Sequence, residues 1–83
     1  MSTYVATFYT HLSAQLSCRR LQQSGCPAQM MPVPRALSSS CGTCVRYEGE
    51  GDRRELLDSD AEALYELLSS GAYRLLWREE EPM

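Results

Sequence analysis

The stretch AQMMPVPRALSSSCGTCVRYE, residues 28–48, constrains this 83-residue chain more than any other. Its first six residues, 28–33, read as a strand, but Pro32 has no N–H to give to a ladder, so the strand belongs at the edge of a sheet. The two prolines stiffen the strand's end, and the chain leaves the sheet at Pro34. A polar run with three serines then carries it to a C-x-x-C pair, Cys41 and Cys44.

The rest of the chain supplies the neighbours of that edge strand. Residues 3–9, TYVATFY, are β-branched and aromatic with small residues between, a strand signature. From Thr10 to Ser24 nothing breaks a helix, and Gly25 followed by Pro27 ends it. The apolar positions of that helix are divided. Ala14, Cys18 and Leu21 share one face while Leu12 and Leu16 point nearly the opposite way, and a second contact surface, as in a homo-oligomer, is one explanation. Residues 44–48, CVRYE, alternate as a third strand with Val45 and Tyr47 on one face, and GEGDRRE is a turn or loop. Ser59 and Glu62 form a capping box, and Ala61, Leu64, Tyr65 and Leu68 repeat at i, i+3, i+4, i+7, which predicts a second helix closed by Gly71. Residues 72–77, AYRLLW, make a last strand. The order βαββαβ predicts an α+β, ferredoxin-like fold: a four-stranded antiparallel sheet in order 4-1-3-2 with both helices on one face. Residues 1–78 form the single domain and residues 79–83 a solvated acidic tail.

Composition narrows the function. A chain this short buries roughly 60–65% of its unfolded surface, enough for one thin core and no second domain. A net charge of −3 argues against nucleic acid as partner, because phosphate contacts need a basic patch. All eight basic residues are arginines, which a genomic composition bias explains more simply than anion binding. No apolar run approaches the roughly 20 residues of a membrane span, and MSTYVATFYTH lacks a basic region followed by an apolar core. The cytoplasm is the expected compartment and the four cysteines are expected to be thiols.

The predicted topology brings loop 34–43 to the end of the sheet where the first helix starts, so Cys41 is expected beside Thr10 and His11. Free N–H groups and partial positive charge there favour thiolate over thiol, and Arg35 adds to this. Cys41 is the leading candidate for chemistry. Cys44 is either its exchange partner or an inward-facing small hydrophobe. The candidates for holding an anionic group are Arg35, Ser38, Ser39, Ser40, Gly42, His11 and Thr10. Against this, Arg35 reads equally as a solvated arginine, His11 as a surface residue, and the serines as flexible loop. Gly42 lets a partner's backbone or an anion approach closely. Cys26 falls at the far end of the first helix, roughly 20 Å away at 1.5 Å per residue, and Cys18 lies mid-helix. A four-cysteine zinc site is therefore excluded within one chain. Tyr4, Phe8, Tyr47, Tyr65 and Trp77 read as core.

The segments ATFYTH and MPVPRALSSSCGTCVRYE resemble a small bacterial family of selenium/sulfur carrier-like proteins, closely over residues 4–48. Its signature, P-R, a few small residues, then S-x-C-G, falls on Pro34, Arg35, Ser38, Ser39, Ser40, Cys41 and Gly42, and its amino-terminal T-F on Thr7 and Phe8. The resemblance implies that Cys41 carries sulfur or selenium as a persulfide or selenopersulfide, a transient covalent cargo with no other cofactor and no resident metal. It implies a donor such as a cysteine desulfurase and an acceptor protein, and a carrier more than a stand-alone enzyme. Cys44 is variable in that family, so no disulfide step is implied. Two alternatives stay open: a dithiol redox protein using Cys41 and Cys44, which needs their Cα atoms within about 7 Å, and a metal-binding or interaction module completed by a second chain.

Overall fold

Residues Ser2–Phe8 form β1, and every residue from Tyr4 to Phe8 is buried. A strand buried on both sides of its pleat is a central strand with cover on both faces of its sheet. The computed structural model, which describes residues 1–79, places it so. After β1 come α1 (His11–Gln23), β2 (Ala28–Pro32), β3 (Thr43–Gly49), a 3₁₀ turn (Arg54–Leu56), β4 (Ala61–Leu67) and β5 (Tyr73–Arg78). They build one five-stranded antiparallel sheet in the order β2-β3-β1-β4-β5.

The single helix starts and stops where its sequence requires. Thr10 is the N-cap, its Oγ1 accepting from the Ser13 amide at 3.1 Å. At the other end Gly25 takes φ +95°. The Gly25 N–H bonds to Gln22 O and the Cys26 N–H to Leu21 O, the paired bonds of a Schellman closure. The divided apolar pattern of α1 resolves into a buried face of Ser13, Ala14, Ser17, Cys18 and Leu21, with Leu12 left 62% exposed. The two buried serines are paired. Ser13 Oγ donates to Asp58 Oδ2 at 2.8 Å, and Ser17 Oγ accepts from the Asp58 amide at 2.8 Å. The Ser13 hydroxyl is the largest cause that holds the Asp58 carboxyl below the usual carboxylate range, with the Asp60 amide and Arg20 adding to it.

Strand β2 lies at an edge, where Pro32 pairs with Thr43. Helix α1 blocks part of its outer side: Gln22 Nε2 donates to Ala28 O at 3.0 Å, and the Met30 amide donates to the Cys18 sulfur.

The predicted four-stranded ferredoxin-like sheet with two helices on one face does not form. The segment predicted as the second helix is β4, and the predicted last strand is β5, an edge strand paired only with β4. The same residues satisfy a period of two: Ala61, Ala63, Tyr65 and Leu67 alternate with Glu62, Leu64 and Glu66. As a strand they give β1 its second neighbour, setting Tyr65 beside Val5, Leu64 beside Ala6 and Ala63 beside Thr7. Gly71, placed to end a helix, turns a hairpin instead. It sits at φ +90° between Leu68 and Ala72, whose Leu68 N–H to Ala72 O bond closes the loop at 2.8 Å. A three-residue loop with glycine in the left-handed region is a favoured hairpin connection. The Glu66–Arg74 ion pair then spans the hairpin. Of the predicted tail, Glu79 still bonds through its N–H to Glu62 O; its remainder lies outside the described residues.

The two faces are covered differently. On one, Tyr4, Ala6, Phe8, Val45, Tyr47 and Leu64 pack with Ala14, Cys18 and Leu21 of α1 and with Leu57. On the other, Val5, Thr7, Cys44, Ala63 and Tyr65 are as fully buried, yet no helix lies there. Among the described residues no helix is long and apolar enough to cross a membrane.

Candidate functional site

The cover of the second face is the loop between β2 and β3. Pairing continues one step past β2, the Val33 N–H donating to Gly42 O at 3.1 Å, and residues 34–41 project from that rung. Leu37 N–H to Pro34 O, 2.9 Å, tightens the first turn. Leu37 and Ser38 then line a cleft with Tyr65, Tyr73 and Leu75, all on the face away from α1, so the loop lies across that face. Its second half is tied down at the end of the sheet. Ser39 Oγ donates to Phe8 O at 2.9 Å, and Ser40 donates from both its N–H and its hydroxyl to the two oxygens of Glu62, at 3.1 and 3.0 Å. Gly42 turns the chain back into β3 at φ +75° with open space around it. The need for glycine there is conformational.

Cys41 sits at the joint of this loop. It is partly exposed and packs at the margin of the helix-side core. Its thiol donates to Thr43 O at 3.4 Å, with Ser39 Oγ 3.9 Å away. Cys44 is only three residues on, but it belongs to the other face. It pairs with Thr7 and Met31, is fully buried, and its thiol points to Pro32 O at 3.7 Å. Burial pushes the Cys44 thiol up to about 11, with the neighbouring Cys41 adding to the rise. The C-x-x-C pair is thus split across the sheet. Side chains alternate along a strand, so Thr43 faces α1 and Cys44 faces away. A disulfide needs Cβ vectors that converge, and Cys44 turns its own toward the buried side.

The other candidates fall at the same end but not all at the sulfur. His11 is exposed, with Nδ1 3.4 Å from Thr43 Oγ1. The Thr10 side chain is spent on its helix cap. The hydroxyls of Ser39 and Ser40 already serve protein acceptors, and Glu62 places negative charge where an anion would meet Ser40. Ser38 lines the cleft and Arg35 is exposed, in no ion pair among the described residues. Cys18 and Cys26 stay apart from the site. Burial raises the Cys18 thiol, partly offset by the Met30 amide, and Cys26 follows the carboxyl end of α1 beside Ser24. Among the described residues no three metal-ligating side chains cluster.

Glu62 is the site residue that the sequence reading misses. It reads there as a capping-box partner, which fits a helix and hides its role in a strand. The β1–β4 register shifts between Thr7 and Phe8, which pair with Ala63 and Ala61. Glu62 is therefore the extra residue of a bulge. Bulges re-aim side chains at strand ends, and this one turns the carboxylate to the loop.

Residues 3–69 match the family described as "Putative Se/S carrier protein-like". The chain belongs to this family of selenium/sulfur carrier-like proteins. No curated protein and no solved structure matches it.

Proposed function

We propose that this protein is a small carrier that holds sulfur or selenium on Cys41 and passes it between partner proteins. The observation that carries the reading is the inequality of the two motif cysteines: Cys41 is reachable at a loop joint, and Cys44 is sealed beneath the opposite face. That arrangement suits chemistry with one thiol. It suits a dithiol less, because Cys44 is fully buried and faces away from the helix-side core against which Cys41 packs.

The transfer is an exchange at divalent sulfur. The Cys41 thiolate attacks the terminal sulfur of a donor persulfide, a new S–S bond forms, the donor's own S–S bond breaks, and the donor cysteine leaves as thiolate. Delivery repeats the step, with an acceptor thiolate attacking the terminal sulfur on Cys41 and Cys41 leaving. No electrons are gained or lost overall, and selenium follows the same course. Ser39 Oγ lies 3.9 Å from the sulfur, but its one proton goes to Phe8 O, so toward the cargo it presents only acceptor lone pairs. To accept cargo Cys41 must be a free thiol, so the reading assigns the protein to a compartment that keeps thiols reduced, the cytoplasm.

The test is mass spectrometry of protein purified without reductant, followed by loading with a cysteine desulfurase. A gain of about 32 or 80 Da on the peptide holding Cys41 is expected, a reversible cap on the thiol. Cys41→Ser abolishes loading and Cys44→Ser retains most of it. Equal loss in the two variants would replace the carrier with the dithiol mechanism.

A further inference from the structure

The two edges of the sheet are finished differently. Along β2 the helix takes up main-chain groups, Gln22 Nε2 bonding Ala28 O and the Met30 amide bonding the Cys18 sulfur. Among the described residues nothing does this along β5, whose one neighbour is β4. The hairpin bonds fix which β5 groups are left over. Leu68 N–H bonds to Ala72 O at 2.8 Å, and bonded and non-bonded pairs alternate from there. Glu66–Arg74 is thus a bonded pair, while Leu67–Tyr73 and Tyr65–Leu75 are not. Tyr73 and Leu75 therefore turn their N–H and C=O groups outward, away from the sheet. Leu76 is the extra residue of a bulge, where the register shifts between Leu64 and Tyr65. The regular part of the free edge is these two rungs.

Beside that edge lies the cleft between β5 and the loop, about 420 Å³ in volume. Its apolar walls are Leu37, Tyr73, Leu75 and the Tyr65 ring, its charge is Arg78, and no carboxylate lines it. Leu75 is 49% exposed there. Arg78 is exposed and in no ion pair among the described residues. It donates to Tyr65 Oη at 3.0 Å, and the Tyr65 hydroxyl proton has no acceptor among the described residues, although Tyr65 is only 5% exposed. A guanidinium and a phenol thus hold donors at one end of the cleft with nothing to receive them. The carboxylates of the adjoining strands are turned elsewhere. Glu66 pairs with Arg74, Glu62 holds Ser40, and Glu79 lines a separate cavity with Leu57 and Trp77. Exposed Asp60, in the turn before β4, and exposed Arg46, on β3, do not line the cleft.

We propose that the β5 edge and this cleft together bind an extended acidic peptide of a partner protein, which joins the sheet as a further strand. Main-chain bonds to Tyr73 and Leu75 hold the peptide. Residues opposite these two share their face, so alternate side chains of the peptide lie over the cleft. Apolar side chains fit at those two positions. A carboxylate at the next position on that face meets Arg78 and the Tyr65 hydroxyl in charge-assisted hydrogen bonds. The outward main-chain groups select a peptide over a small anion, which would leave them unused. A second copy of this chain fits worse. The antiparallel two-fold register that bonds both Tyr73 and Leu75 sets Arg74 directly opposite Arg74, and like charges so placed repel. Nor do the edge strands of a second copy bring a carboxylate, since Ala28–Pro32 and Tyr73–Arg78 contain none. The inference uses no cysteine and stands apart from the carrier reading.

The experiment titrates the full chain into fluorescent peptides and reads anisotropy. The probe is TVTVTET, whose valines and glutamate fall on one face when extended. Its controls are TVTVTQT and a form of TVTVTET N-methylated at both valines. The wild type is expected to bind TVTVTET about tenfold more tightly than TVTVTQT, the size of one charge-assisted hydrogen bond, and not to bind the methylated form. Arg78→Gln is expected to erase the difference between the first two peptides. Leu75→Pro removes an outward N–H and none that β4 uses, so it is expected to abolish binding of both. Should Leu75→Pro fail to fold by circular dichroism, the methylated peptide tests the same main-chain bonds. No binding of TVTVTET, equal affinity for the glutamate and glutamine peptides, or undiminished binding of the methylated form each overturns the proposal. So does a wild-type dimer by sedimentation that Leu75→Pro makes monomeric, which would make a second copy the occupant.

Discussion

On one side of the sheet Ala6, Phe8 and Leu64 are sealed by a capped 13-residue helix, and on the other Val5, Thr7 and Cys44 lie beneath a loop without regular structure. Burial is nearly equal, but the means of achieving it are not. The helix satisfies its own backbone and brings Ala14, Cys18 and Leu21 into the core. The loop is held at its functional end by three hydrogen bonds, two to Glu62 and one to Phe8 O. It also covers an unpaired group, since among the described residues Thr7 Oγ1 is buried with no partner. Stability is concentrated on the helix side, and Cys41 rides on the cover that is more easily lifted.

The largest test of that contrast is Phe8→Ala against Leu37→Ala. Phe8 is fully buried on the helix side, and its truncation is expected to remove about 3–5 kcal/mol, a large part of the stability of a domain this size. Leu37, half-exposed in the loop, is expected to lose about 1 kcal/mol or less. Urea unfolding of both variants decides the matter, and equal losses would break the comparison.

Asp58 ties α1 to the segment before β4, so Asp58→Ala is expected to remove about 1–3 kcal/mol by leaving the buried Ser13 hydroxyl unpaired. Its carboxyl is held below the ordinary aspartate value of 3.8, chiefly by the Ser13 hydroxyl. The stability it contributes is therefore complete above that value and is lost as pH falls through its own lower one. Asp58→Asn should lack this portion of the acid loss, read from unfolding midpoints between neutral and strongly acidic pH.

Glu62→Ala is expected to change stability by only about 1 kcal/mol, because its bonds to Ser40 are near the surface. It should change access far more. With the loop released, alkylation of Cys44 measured by peptide mapping is expected to rise several-fold from a very low rate, while Cys41 reacts in both proteins. An unchanged Cys44 rate would mean that the loop is held by something other than this latch. The smallest effect is expected at Thr7→Val, which keeps the shape and removes the unpaired hydroxyl. A gain of about 1 kcal/mol in unfolding free energy is expected.

What the sequence made legible follows from how local each signal is. The helix start at Thr10, the stop at Gly25 and the edge position forced by Pro32 are decided by a few adjacent atoms, and the structure has all three. Residues 61–67 were open to two periods, and the choice between them was made far away in sequence, by an unpaired side of β1. Serine, glutamate and glycine kept their types but changed their jobs: Glu62 bonds Ser40, and Gly71 turns a hairpin. The site divided in the same way. The loop and Cys41 were readable from prolines, serines and glycine, whereas the separation of Cys41 from Cys44 depends on which side of the pleat each falls, and the latch depends on a bulge.

The place of β1 in the sheet has a consequence for how the chain comes to be folded. Made first, it waits for partners that begin at Thr43 and Ala61. Closing such long loops is slow and costs entropy before any contact returns it. A chain emerging from a ribosome therefore cannot complete its central ladder until β4 has been synthesised. Until then Val5 and Phe8 have no sheet to join, and the bonds of Ser40 to Glu62 beside Cys41 cannot form. The loop around Cys41 can take its folded shape only once β4 has been made.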